Sequence, residues 1–127
     1  MPDPSTPFVA LRPFIPARDF AASKRFYLDL GFTVTYDGPD VAVLENGPHS
    51  FLLQNYYDAG WANNCMMQIV VSDLDGWWQR MMALGLPEKH DIPTPAAPKM
   101  QPWGMRVAFL HDPAGVLWHI AEQPQQP

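Results

Sequence analysis

Sliding the sequence along itself by 54 residues lays Asp19-Phe20 over Asp73-Leu74 and Leu30-Gly31-Phe32 over Leu84-Gly85-Leu86. A local pattern written twice restricts the chain to one supersecondary unit used twice, because neither copy can bury its apolar face alone. An apolar run precedes the aspartate in each copy, residues 8–15 in the first and 66–71 in the second, and reads as a strand. Asp19 and Asp73 can each accept hydrogen bonds from the free amides of a first helical turn, and Gly31 and Gly85 can supply the left-handed residue that ends a helix. Between those signals, Phe20, Phe26, Tyr27 and Leu30 in one copy and Leu74, Trp77, Trp78, Met81 and Leu84 in the other recur at helical spacing and mark core-facing stripes.

After each helix, turn residues cut the chain into strands. Gly38-Pro39 and Asn46-Gly47-Pro48 separate residues 33–37, 41–45 and 50–55, since glycine tolerates positive φ and proline fixes its own. The second copy continues with a loop carrying Pro93, Pro95, Pro98 and Pro102, then strands over 105–111 and 116–121 around the turn Asp112-Pro113-Ala114-Gly115. The expected fold class is α+β: two βαβββ modules, about 8–55 and 65–122, whose curved mixed sheets share one domain spanning residues 1–127. Residues 56–64 read as a linker and 123–127 as a frayed tail.

Composition agrees with a packed globule, at 47% hydrophobic and only 17% charged residues. A formal net charge of -5 is the wrong sign for neutralising phosphates, so nucleic acid is not an expected partner. No apolar stretch approaches the roughly 20 residues of a membrane span, and the start, MPDPSTP, has no signal-peptide character, so a cytoplasmic protein without a membrane partner is expected. Cys65 is the only cysteine, and no disulfide within the chain is possible. Between Arg25 and Arg80 no lysine or arginine occurs, yet Asp29, Asp37, Asp40, Glu45, Asp58, Asp73 and Asp75 do. Those acids form either a solvated surface or an electrostatic funnel for a cation, and the aromatics of the same stretch favour the funnel, because their faces attract desolvated cations.

A double βαβββ chain carrying Phe14-Ile15-Pro16-Ala17-Arg18-Asp19 before Phe26-Tyr27, and Gln101-Pro102-Trp103-Gly104 before Asp112-Pro113-Ala114-Gly115, resembles the vicinal oxygen chelate superfamily, also called the glyoxalase/bleomycin resistance family. The second segment is similar to the closing half of bleomycin-resistance proteins in particular. The resemblance implies facing curved sheets, a homodimer with pockets in its clefts and, because Pro13 matches a proline at which the N-terminal strand crosses over, a strand-swapped one. It also implies a place to look for a metal. The superfamily's enzymes hold a divalent ion with four side chains at symmetry-related strand positions, which count here to Arg12, Met66, Leu53 and His119. One ligand is too few, so neither metal nor cofactor is expected, although a one-residue register slip would bring in Gln54 or Gln68. His49 falls in a turn, His90 in an exposed polar run and His111 at a strand end, Cys65 reads as an inert thiol, and no serine has a nucleophile-elbow context, so no catalytic residue is expected.

What such a cleft keeps is aromatic surface. By resemblance, Trp103 is the cleft tryptophan and Phe32 and Tyr36 are cleft-facing aromatics. Asp37, Phe51 and Leu53 lie on the first module's strands near them, Tyr56, Tyr57 and Trp61 can reach the cleft from the linker, and Met66, Met105 and His119 line it from the second module. These twelve residues are the expected ligand site. The implied function is antibiotic resistance by drug binding: metal-free sequestration of a bulky aromatic, cationic antibiotic or peptide-like metabolite. The alternative on the same fold is a metal-dependent lyase, dioxygenase or thiol transferase.

Overall fold

Two aspartates start the two long helices of the computed structural model, which describes residues 6–124. Asp19 accepts a hydrogen bond from the Ala22 amide at 3.1 Å and caps α1 (Phe20–Leu30); Asp73 accepts from the Gly76 amide at 3.0 Å and caps α3 (Leu74–Ala83). Before α1 lies β1 (Phe14–Pro16), and after it β2 (Thr33–Asp37), β3 (Val41–Asn46) and β4 (His49–Gln54). Before α3 lies β5 (Met66–Val71), and after it β6 (Ala96–Met100), β7 (Arg106–His111) and β8 (Leu117–Glu122). The sheets are built alike, in the orders β1-β4-β3-β2 and β5-β8-β7-β6, with the opening strand of each module parallel to its last strand. The duplication is therefore real at the level of topology.

Several expected elements differ. Of the strand expected over 8–15, only its last two residues pair, with β1 running from Phe14 to Pro16; Phe8, Val9 and Leu11 are 85%, 104% and 82% exposed. Pro13 has no amide to donate, so the ladder stops at its carbonyl, which accepts from Leu52 at 2.9 Å. The expected linker contains α2 (Ala59–Asn64), capped by Asp58 on the Trp61 amide at 3.0 Å. Gly85 is left-handed at φ 64 but starts α4 (Leu86–His90) rather than ending α3 at its own position. Pro87 is tolerated there because the first-turn amides of a helix have no partner anyway. The proline-rich loop holds β6, an edge strand whose pairing slips between Ala96 and Lys99, around Pro98. Proline is accommodated at such an edge irregularity. His49 opens β4 instead of sitting in the turn, and β7 and β8 each begin one residue later than expected. Of the expected tail, residues 125–127 lie outside the described ones.

The core is continuous across both modules. Tyr27, Phe32, Phe51 and Trp118 pack ring against ring, with Tyr27 4.9 Å from Phe51 and 5.6 Å from Trp118. Inside it lies one polar knot. The Tyr27 hydroxyl donates to Asp112 Oδ2 at 2.5 Å and accepts from Trp118 Nε1 at 2.9 Å, while Asp112 Oδ1 accepts from the Ala114 and Val116 amides at 2.8 and 2.9 Å. Burial pushes the Asp112 carboxyl above the usual carboxylate range against the pull of these donors, and burial with the neighbouring carboxylate keeps Tyr27 firmly protonated. The Asp112-Pro113-Ala114-Gly115 turn thus does more than reverse the chain: its carboxylate fastens α1 of one module to the final hairpin of the other.

Candidate functional site

Each sheet turns alternate residues into this core and leaves its other face open. On β8, Trp118 and Ile120 point inward, so His119 between them faces out. Register places Gln68 of β5 and Phe109 of β7 directly beside His119 on the same face. The Phe109 ring meets the imidazole edge-on at 4.8 Å. Trp103 reaches over from the turn between β6 and β7, stacking on His119 with centroids 6.4 Å apart and planes inclined by 27°. Its presentation is fixed by backbone: Gly104, at φ 92, donates to the Gln101 carbonyl at 2.9 Å, and the Gln101 amide donates to Met105 at 2.8 Å. The indole is 56% exposed and open on its outer side, and Met66, also exposed, extends the apolar face at Leu117. Met105 is half-buried at the end of the same turn.

The first sheet presents a different surface. Phe14 pairs with Leu52, and Leu52 with Val43, on its open face. Leu53, matched to His119 by aligning the hairpin turns, is fully buried in the core instead. The position equivalent to the Gln68–His119 pair is Phe14–Leu52, one residue away, and a one-residue slip exchanges the faces of a strand. Phe51 is also buried and Phe32 nearly so, and both line a separate groove of about 690 Å³ on the core side, between the modules. Tyr36 is exposed on the edge strand β2, and Asp37 is paired with Lys24 at 2.9 Å. Tyr56 sits with its ring 6.3 Å from that of Trp61 on α2, and Tyr57 lies under Arg18, whose guanidinium donates to the Pro113 carbonyl at 3.1 Å. The expected site therefore separates into groups, and the group that coheres is Met66, Trp103, Met105 and His119. Phe109 was missed, and Gln68 was named only as what a register slip would bring in, although alternation along β5 and β7 marks both.

The acidic stretch does not stand unopposed. Arg12 reaches Glu45 at 3.7 Å, Arg106 reaches Asp75 at 2.9 Å, and Lys89 and His90 hold Asp29 at 2.9 and 2.7 Å, while Asp58 and Asp73 are helix caps. Partial burial raises the Asp29 carboxyl, but its bonds to Lys89 and His90 prevail and leave it below the usual value. His90, expected in an exposed run, has a side chain only 6% exposed, edge-on to Phe26 at 5.5 Å. All these cations lie outside the stretch in sequence, which is why a map along the chain overstates its field. Burial, with Asp112 nearby, pushes the Cys65 thiol up, so it is a poor nucleophile.

The model of the Glyoxalase/Bleomycin resistance protein/Dioxygenase superfamily matches residues 9–120. The chain belongs to this superfamily. It is 27% identical to a bleomycin resistance protein of Klebsiella pneumoniae over 117 residues, covering 87% of this chain and 89% of that one. Among solved structures it is similar to a bleomycin-binding protein complexed with bleomycin, at a TM-score of 0.77 and 25% identity over 91% of this chain and 98% of that one. It is also similar to a lactoylglutathione lyase from Agrobacterium tumefaciens, at a TM-score of 0.66 and 21% identity over 92% and 96% of the two chains. The superfamily's enzymes need metal donors at four symmetry-related positions, and this chain fails that requirement on its chemistry. The opening-strand positions beside the last strands are Phe14 and Gln68 rather than the expected Arg12 and Met66, which lie two residues earlier; Gln68 and His119 carry donor atoms, but their counterparts Phe14 and Leu52 carry none. No group of three or more His, Cys, Asp or Glu is arranged to hold a metal among the described residues. No helix there is long and apolar enough to cross a membrane.

Proposed function

We propose that this superfamily member captures a bulky aromatic, cationic antibiotic or peptide-like metabolite on its open sheet faces, without a metal and without making or breaking a bond. One observation carries this reading: an indole, stacked on one side by His119 and open on the other, stands over a sheet face otherwise lined by Met66, Gln68, Leu117 and Phe109. Such a surface stacks planar rings and attracts cations. The bleomycin complex of the similar structure and the name of the Klebsiella relative support the choice of guest class. Calorimetric titration with metal-free bleomycin should show one guest per cleft, and Trp103→Ala should weaken it by about 1–2 kcal/mol, roughly 5- to 30-fold. Full affinity in that variant would refute the indole's role. Stoichiometric binding of iron, nickel or zinc would instead favour the enzyme reading.

We also propose a cytoplasmic homodimer. Phe8, Val9 and Leu11 form an apolar arm exposed beyond what a lone protomer tolerates cheaply, and Pro13 marks where it leaves the body. Removing residues 1–12 should convert a sedimenting dimer to monomer; an unchanged sedimentation coefficient per chain length would reject the arm's part in assembly. With a net charge of -5, the wrong sign for phosphates, the protein is read as using neither nucleic acid nor membrane.

A further inference from the structure

We infer that the groove between the modules is a second binding site, for a planar aromatic carboxylate or sulfonate held by Arg80. The groove measures about 690 Å³, within the size of small-molecule sites. Phe32, Phe51 and Trp118 form its floor, and Trp77 and the inward-facing residues of the edge strand β5 form its walls. It opens on the core side of the sheets, away from the Trp103–His119 stack, and touches the open face only at its rim through Gln68 and Val70.

The charge in this groove is what selects a guest. Arg12, Lys24, Lys89 and Arg106 each meet a carboxylate, whereas Arg80, like Arg18, Arg25 and Lys99, makes no ion pair with any described residue, and of these four it is the one that lines the groove. Its guanidinium lies beside Gly31, where a Cβ would be 3.7 Å from Nη2, at the end of α1. The Gly31 carbonyl is already taken by Asn46 Nδ2 at 3.0 Å. The fork of donors is thus brought to the mouth of an aromatic slot with its capacity unspent, which is the arrangement that binds a planar carboxylate through two parallel hydrogen bonds. A second copy's arm is the competing occupant, but residues 1–14 carry one carboxylate, Asp3, balanced by one cation, Arg12, and so offer no net negative charge to Arg80. Charge complementarity therefore favours a small anion.

A matched pair of probes tests this on the full chain: 2-naphthoate and 2-naphthylmethylammonium, followed by tryptophan fluorescence and calorimetry. The anion should bind at least about tenfold more tightly than the amine, and Arg80→Gln should bring the two within about threefold, with near-ultraviolet circular dichroism unchanged. Arg80→Lys should recover part of the preference, having the charge without the fork. Bleomycin titrations should be unaffected by Arg80→Gln, and Trp103→Ala should leave naphthoate binding intact. Equal binding of the two probes, no binding of naphthoate, an unaltered preference in Arg80→Gln, or loss of naphthoate in Trp103→Ala would each overturn the inference. A dimer whose assembly depends on Trp77 while naphthoate is excluded would assign the groove to a second copy and overturn it too.

Discussion

Asp112→Ala is expected to lower the unfolding free energy by about 3–5 kcal/mol, a large part of the 5–15 kcal/mol of an ordinary domain. The variant would strand the Tyr27 hydroxyl and the Ala114 and Val116 amides without an acceptor in a place water does not reach. Each stranded donor costs about 1–3 kcal/mol, and the sum is less than additive because the turn can relax. For a chain of this size the melting temperature should fall by roughly 10–20 °C. Tyr27→Phe should cost less, about 1–3 kcal/mol, since Asp112 keeps its two amides at Oδ1 and the losses are one donor to Oδ2 and the acceptor of the Trp118 indole N–H. Urea unfolding of both variants checks the order, and a loss below about 1 kcal/mol for Asp112→Ala would mean the knot contributes little. A pH dependence follows as well. The folded state raises the Asp112 carboxyl, so it binds the proton more readily than the unfolded chain does. This group's contribution therefore grows as pH falls toward the ordinary carboxylate value and is lost as pH rises through the raised one. Relative to Asp112→Asn, which cannot titrate, the wild type should gain stability between neutral and mildly acidic pH.

The neighbouring leucines of β4 should behave oppositely. Leu53→Ala removes a fully buried side chain and should cost about 2–5 kcal/mol, while leaving the open face untouched. Leu52→Ala, on that face, should cost under about 1 kcal/mol in stability and weaken capture of bleomycin instead. Measuring urea midpoints and bleomycin affinity on the same two proteins separates the roles. If Leu53→Ala is neutral to stability and impairs binding, the register assigned to β4 is wrong.

That leucine pair also shows what a sequence can and cannot say. Strand alternation is readable when one face is polar, and β5, bounded as expected at Met66–Val71, is such a case through Gln68. Phe51-Leu52-Leu53 is apolar on both faces, so its period carries no information about which residue points inward, and a turn-to-turn match is off by one. The caps at Asp19 and Asp73 were legible because an N-cap is decided within four residues. The Asp29 bonds to Lys89 and His90 and the Asp112–Tyr27 bond were not, because each joins residues far apart in the chain and depends on how the modules dock. The aromatics of the candidate site divided too. Trp103, assigned through the Gln-Pro-Trp-Gly resemblance, stands on the open face, whereas Phe32, assigned by the same resemblance, and Phe51, assigned by its place on the nearby strands, belong to the core and the groove beneath it.

The polar knot also dictates when the molecule can become itself. Tyr27 emerges early in synthesis, but the groups that satisfy its hydroxyl, Asp112 and Trp118, come 85 and 91 residues later. The first half of the chain must wait, its best side chain unanswered, until nearly all the rest has been made. Despite its duplicated plan, such a protein should not survive being split at its midpoint: the halves are copies in shape, but neither is a folding unit.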